Sequence, residues 1–144
     1  MNKKVKNATF VECNGITFKS KMEAKVYKYL IDKGITPKYE EETFILSEKV
    51  VPNVPFYNRT KARGYHLIKG PIMPVTYTPD FTFDLNEWHV ILEVKGLETD
   101  TFSIKRNLFR KLLEHDTRKV IYFEVRTLRE VSESLNIIYG KEPV

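Results

Sequence analysis

The sequence predicts an α/β (α+β) fold: one domain over residues 1–144, with a central mixed β-sheet flanked by helices. Three observations carry this. Residues 90–96 (Val-Ile-Leu-Glu-Val-Lys-Gly) are too continuously apolar for a strand with one wet face, and read as a central strand buried on both sides. Residues 20–32 and 101–114 place apolar side chains at helical spacing. A further apolar strand follows the second helix, so this strand–helix–strand unit needs a crossover and a parallel pair, whereas the strands before it join in an antiparallel hairpin.

The elements follow in order. Residues 10–18 form a hairpin around Asn14-Gly15, a favoured two-residue turn. A helix starts at Ser20 and ends near Asp32, stopped by Gly34. Residues 39–46 alternate weakly as a strand. Residues 47–63, with Pro52 and Pro55, read as irregular, and 65–68 as a short strand; together with Pro71 they make an irregular insert at about 47–73. A strand over 77–85 turns at Asn86-Glu87 into a strand over 87–95. The helix over 101–114 leads to a strand over 120–125. Thr127-Leu-Arg-Glu130 is a capping box opening a last helix that runs to about Ile138, and the tail from Gly140 to Val144 frays.

Chemistry concentrates at Pro79-Asp80 and Glu93-Val94-Lys95. Two carboxylates and a lysine at the ends of neighbouring apolar strands are costly to bury unless they pair, bind a metal or react. Mg2+ takes hard oxygen ligands and only one or two protein carboxylates. Asp80 and Glu93 supply those, with the Val94 backbone carbonyl as a further donor, and Mn2+ substitutes. Strand side chains alternate, so Lys95 shares the face of Glu93. The plain alternative is a surface Glu–Lys pair, with Thr78-Pro79-Asp80 as an ordinary turn.

Two residues have competing roles. Ser20-Lys-Met-Glu23 fits a capping box, which would turn Glu23 back to the helix start. Glu23 also shares a stripe with Val26, Tyr27 and Leu30, which points it toward the sheet. In the second helix Lys105 falls near the middle of an apolar face built from Phe102, Ile104, Leu108, Phe109, Leu112 and Leu113. It either snorkels past these neighbours or serves as a second cation for the acids or a phosphate. Arg106 and Arg110 fall on the opposite, wet face as solvated groups or phosphate contacts.

The ordered set Glu23, Asp80, Glu93, Lys95, with the stretches Asn14-Gly-Ile-Thr-Phe-Lys-Ser-Lys-Met-Glu-Ala24, Tyr77-Thr-Pro-Asp-Phe81 and Glu93-Val-Lys-Gly96, resembles the PD-(D/E)XK nuclease superfamily. The likeness is to its small phage-type endonucleases and covers roughly residues 11–125. Holliday junction resolvases and transposon-end nucleases share the order. The resemblance implies a restriction-endonuclease-like core, Mg2+ at Asp80 and Glu93, Lys95 at the attacking water, and Glu23 completing the acidic cluster from the first helix. It does not choose among substrates.

The net charge of +5 and pI near 9.2 favour a polyanionic partner without proving one. Lys3, Lys4 and Lys6 open the chain, Lys19, Lys21, Lys25 and Lys28 lie at the first helix, and Arg59, Lys61 and Arg63 stand among aromatics. The insert, with Phe56, Tyr57, Tyr65 and His66, either grips nucleic acid by stacking and charge, serves as a dimer arm, or tucks its aromatics into the core. A lone Cys13 excludes an internal disulfide and a cysteine-based zinc site. That cysteine usage, with no signal peptide at the N-terminus and no apolar run of membrane length, predicts a cytoplasmic protein. His66, His89 and His115 are too scattered for a metal triad. His89 lies four residues from Glu93, about 13 Å along a strand.

The expectation is thus a Mg2+-dependent endodeoxyribonuclease, phage-encoded and acting on branched or duplex DNA in recombination. A Holliday junction resolvase of this kind makes two equal cuts and so needs a homodimer. The alternatives are a noncatalytic DNA-binding accessory protein of recombination or packaging, or a transposon-end or restriction-type nuclease subunit.

Overall fold

A computed structural model describes residues 9–141. The basic Lys3, Lys4 and Lys6 and the last residues of the tail lie outside that range. Ten strands and three helices are described: β1 (Val11–Cys13), β2 (Ile16–Phe18), α1 (Lys21–Asp32), β3 (Lys38–Tyr39), β4 (Phe44–Ser47), β5 (Tyr57–Thr60), β6 (Gly64–Leu67), β7 (Val75–Tyr77), β8 (Phe81–Leu85), β9 (Trp88–Val94), α2 (Asp100–Leu113), β10 (Val120–Val125) and α3 (Leu128–Ile138). The fold is α+β.

The main sheet has the order β10-β9-β8-β3. β9 and β10 are parallel and the other pairs antiparallel, so the sheet is mixed as expected. β8 and β9 join through Asn86 and Glu87, both at positive φ (47° and 70°), the conformation a tight hairpin turn demands. Val90, Ile91 and Leu92 are fully buried, as a strand covered on both faces requires. On one face Val90 and Leu92 pack with Phe81, Phe83, Val26, Leu30, Val131 and Leu135, beneath α1 and α3. On the other, Ile91 meets Phe109 of α2, Phe44 and Tyr77. Each such side chain contributes about 1.5–3 kcal/mol by leaving water. Thr127 and Glu130 form the expected capping box of α3. Among the described residues no helix is long and apolar enough to cross a membrane.

Three expectations need correction. The strand over 39–46 breaks after Tyr39, where Glu40 takes φ 50°, and resumes as β4 in a separate sheet with β7. The strand over 77–85 likewise divides at Thr78-Pro79-Asp80, because Pro79 has no N–H for the ladder. The insert is not irregular: β5 and β6 form a two-stranded antiparallel ribbon, anchored at its root by the Val50–Ile72 bridge.

Candidate metal centre

Each of these breaks delivers an acid. Asp80 stands at the head of β8, 9 % exposed, and its Oδ2 accepts the Val94 N–H at 2.7 Å. Its own N–H points at Glu93 Oε2, 3.4 Å away, and its carbonyl accepts the Glu40 N–H at 2.9 Å. Glu40, bent into the left-handed region, is thereby tied to Asp80 through the backbone. Glu23 enters from α1 and is 7 % exposed. Carboxylate oxygens of Glu23, Glu40 and Asp80 lie within 4.8 Å of one another.

The two readings of Glu23 separate cleanly. Ser20 caps α1 by accepting the Glu23 N–H at 3.1 Å, but the Glu23 carboxylate does not return to the cap. Its Oε1 accepts the Tyr39 hydroxyl at 3.2 Å, and that hydroxyl in turn accepts the Lys19 N–H, also at 3.2 Å. Glu93 is held in a similar way: its Oε2 accepts the Tyr77 hydroxyl at 2.7 Å, with the Tyr122 hydroxyl 3.2 Å behind. Asp80, Glu23 and Glu93 are each oriented by a hydrogen-bond donor at a named oxygen.

Electrostatics follow from burial. The Asp80 carboxyl is pushed up to about 9, first by loss of water, then by the charges of Glu93 and Glu23. Glu93 is raised by burial, against the pull of the Tyr77 hydroxyl, the Asp80 N–H and Lys95. Burial and the neighbouring Glu93 also raise Tyr77, so it stays a proton donor. Lys19 binds Glu40 at 2.9 Å and is raised by that pairing.

Glu23, Asp80 and Glu93 are therefore neighbours. Lys95 lies on the Glu93 face, its ammonium 3.3 Å from the centre of the Phe102 ring. Val94 meets Asp80 through its N–H. Lys105 donates to the Thr76 carbonyl at 3.3 Å, on the backbone of β7. Lys21 is exposed at the start of α1, Arg110 is exposed on α2, and Arg59, Lys61 and Arg63 are exposed on the ribbon. Arg106 is a correction. It is not on a wet face but half-buried, binding Glu124 of β10 through Nε and Glu98 through Nη1, whereas Ile104, expected on the apolar face, is 63 % exposed. The ring nitrogens of His89 are taken by Asp84 and Glu42, each at 2.7 Å.

Glu40, Tyr39, Tyr77, Tyr122 and Lys19 are absent from the sequence-derived set. Glu40 has no motif to mark it, since the bend that brings it in occurs at a residue type that rarely adopts positive φ. Tyr77 stands two residues before Pro79 and was legible only as a strand residue.

The donor set fits a hard divalent cation. All side-chain donors are carboxylates, as Mg2+ or Mn2+ prefers. Four carboxyl groups (Glu23, Glu40, Asp80, Glu93) face two ammonium groups, Lys19 and Lys95, and a divalent cation would offset the acidic excess and take the place of the proton that burial holds on Asp80.

Residues 3–132 match the model of a family described as "Protein of unknown function (DUF1064)". No curated protein matches the chain. No solved structure matches it.

Proposed function

The chain belongs to the DUF1064 family, and we propose that it is a metal-dependent nuclease of the PD-(D/E)XK type that hydrolyses DNA phosphodiester bonds. The observation that carries the reading is the cluster of buried Glu23 and Asp80 with half-buried Glu93 beside Lys95, each acid held by a specific donor. A protein gains no stability from crowding like charges away from water, so such a cluster implies a ligand or a reaction.

Asp80 and Glu23, with Glu93 and Glu40 beside them, would hold Mg2+ or Mn2+. When bound, the ion supplies a water of lowered pKa and neutralises charge on the phosphate. The chain does the rest. Tyr39 and Tyr77 keep the Glu23 and Glu93 carboxylates oriented. Lys95 brings an ammonium to the Glu93 face, where it screens phosphoryl oxygens or holds the attacking water. Phe102 lies under the Lys95 ammonium and Phe109 backs Tyr77, so both stand on the α2 side of the site.

The reading carries with it a restriction-endonuclease-like core, a phage origin with action in the host cytoplasm, and branched recombination intermediates as substrate. Paired cuts across a junction further call for a homodimer.

The test is cleavage of a labelled four-way junction and a matched linear duplex in Mg2+, Mn2+ and EDTA, by wild type and by Asp80→Asn. Asn keeps an acceptor for the Val94 N–H and removes the charge. Metal-dependent cutting by wild type alone supports the reading, and a preference for the junction supports the resolvase subtype. Binding without cutting in either metal would overturn it in favour of a noncatalytic DNA-binding accessory protein.

A further inference from the structure

Residues 49–79 hold five cations (Lys49, Arg59, Lys61, Arg63, Lys69) and no Asp or Glu, though the whole chain has 19 acids. This acid-free stretch is the one that folds into the β5–β6 ribbon. The cross-strand register is Tyr57 with Leu67, Asn58 with His66, Arg59 with Tyr65 and Thr60 with Gly64. Because side chains alternate, Tyr57, Arg59, Tyr65 and Leu67 share one face, and Asn58, Thr60 and His66 share the other. Tyr57 is 58 % exposed and Tyr65 74 %. Lys61 and Arg63 occupy the turn that ends the ribbon. A two-stranded hairpin standing as a sheet of its own is marginal in water, and Tyr57 and Tyr65 face solvent on it.

We infer that the β5–β6 ribbon is a nucleic-acid grip whose aromatic face takes unpaired bases on Tyr57 and Tyr65 while Arg59, Lys61 and Arg63 hold the phosphates. Exposed aromatics stack on any base, and cations tracking a backbone add affinity without sequence preference. Charge complementarity selects a polyanion, because no carboxylate on the ribbon offsets its cations. Stacking further selects strands with splayed bases, such as single strands or branch points, over an intact duplex. The inference rests on the nuclease reading in taking DNA as the polymer; the grip itself needs neither the metal nor the acids.

The experiment measures binding of the full chain in EDTA to a labelled single strand, a four-way junction and a matched duplex across a salt series. Combining Arg59→Ala, Lys61→Ala and Arg63→Ala should weaken all three at least tenfold and shallow the salt dependence by about two phosphate contacts. Tyr57→Ala with Tyr65→Ala should weaken the single strand and junction by about thirtyfold or more, with little change for the duplex or the salt slope. Tyr65→Phe, which keeps the ring, should bind as wild type. Unchanged affinity in both combined variants would overturn the grip, and so would a change confined to sedimentation, which would mark the ribbon as a contact between copies of the chain. Ribbon-dependent binding without cleavage in Mg2+ or Mn2+ leaves the grip standing and removes the nuclease. Metal-dependent cleavage with ribbon-independent binding does the reverse.

Discussion

The Tyr77 hydroxyl donates to Glu93 Oε2 at 2.7 Å from a ring that packs edge-on against Phe109, with centroids 4.7 Å apart. An acid at the end of β9 is thus positioned by a core aromatic from a different sheet. Tyr77→Phe should keep the fold and the packing but free the carboxylate. Loss of such an outer partner typically costs 10–100-fold in metal affinity or activity. We expect a loss of that order in cleavage, with the Mg2+ requirement shifted upward in a titration.

Phe109 is fully buried and stacks against Phe44, Tyr77 and Tyr122. Phe109→Ala should cost about 3–5 kcal/mol in denaturant unfolding, the range for a large aromatic cut from a core. Because its neighbour Tyr77 holds Glu93, with Tyr122 behind Tyr77, cleavage should fall as well under conditions where the variant remains folded.

The raised Asp80 carboxyl has a defined consequence for pH. From about the normal aspartate value, 3.8, up to about 9, the folded chain keeps a proton that the unfolded chain releases. Its contribution to stability is complete below that window and is lost as pH rises through it. In EDTA the melting temperature should drop by roughly 5 °C or more from pH 5 to pH 8. Asp80→Asn should flatten the slope. A melting temperature that rises over this interval would contradict the raised carboxyl.

The two lysines should separate. Lys95 stands beside Glu93, whereas Lys105 is committed to the Thr76 carbonyl. Lys95→Ala should reduce cleavage by at least a hundredfold, within the range for losing a positioned charge at a reacting centre, while Mg2+ still protects against heat. Lys105→Ala should change cleavage only a few fold, read from the same single-turnover assay.

Arg106 joins α2 to β10 through Glu124 and reaches Glu98. Solvent reaches this cluster, so Arg106→Ala should lower stability by about 1 kcal/mol, the upper end for such pairs. DNA affinity should be unchanged, in contrast to the ribbon variants.

Much of this architecture was legible in the sequence. The strand at Val120–Val125, the α3 cap at Thr127 and both Asn-containing turns carry strong local signals, and they occur where expected. Strand parity correctly set Glu93 and Lys95 on one face. Glu40 was not legible, because nothing in Tyr39-Glu40-Glu41 announces a left-handed residue. The ribbon was hidden for a different reason. Its alternation is present in the sequence, but Arg59 shares a face with Tyr57 and Tyr65, so an apolar-versus-polar pattern never forms. Arg106 was misread because helical periodicity treats every cation as wet, while Glu98 and Glu124 come from outside the helix to receive it.

The acids of the site come from opposite sides of β9. Glu23 is carried by α1 on one face, and Glu93 is held by Tyr77 on the other, with Asp80 between them. The site is therefore a measuring point for the alignment of two half-cores that share only one sheet. A substitution that slides either helical layer by a fraction of an ångström should detune catalysis while leaving the unfolding free energy nearly intact. Function should therefore tolerate less change in the two cores than folding does.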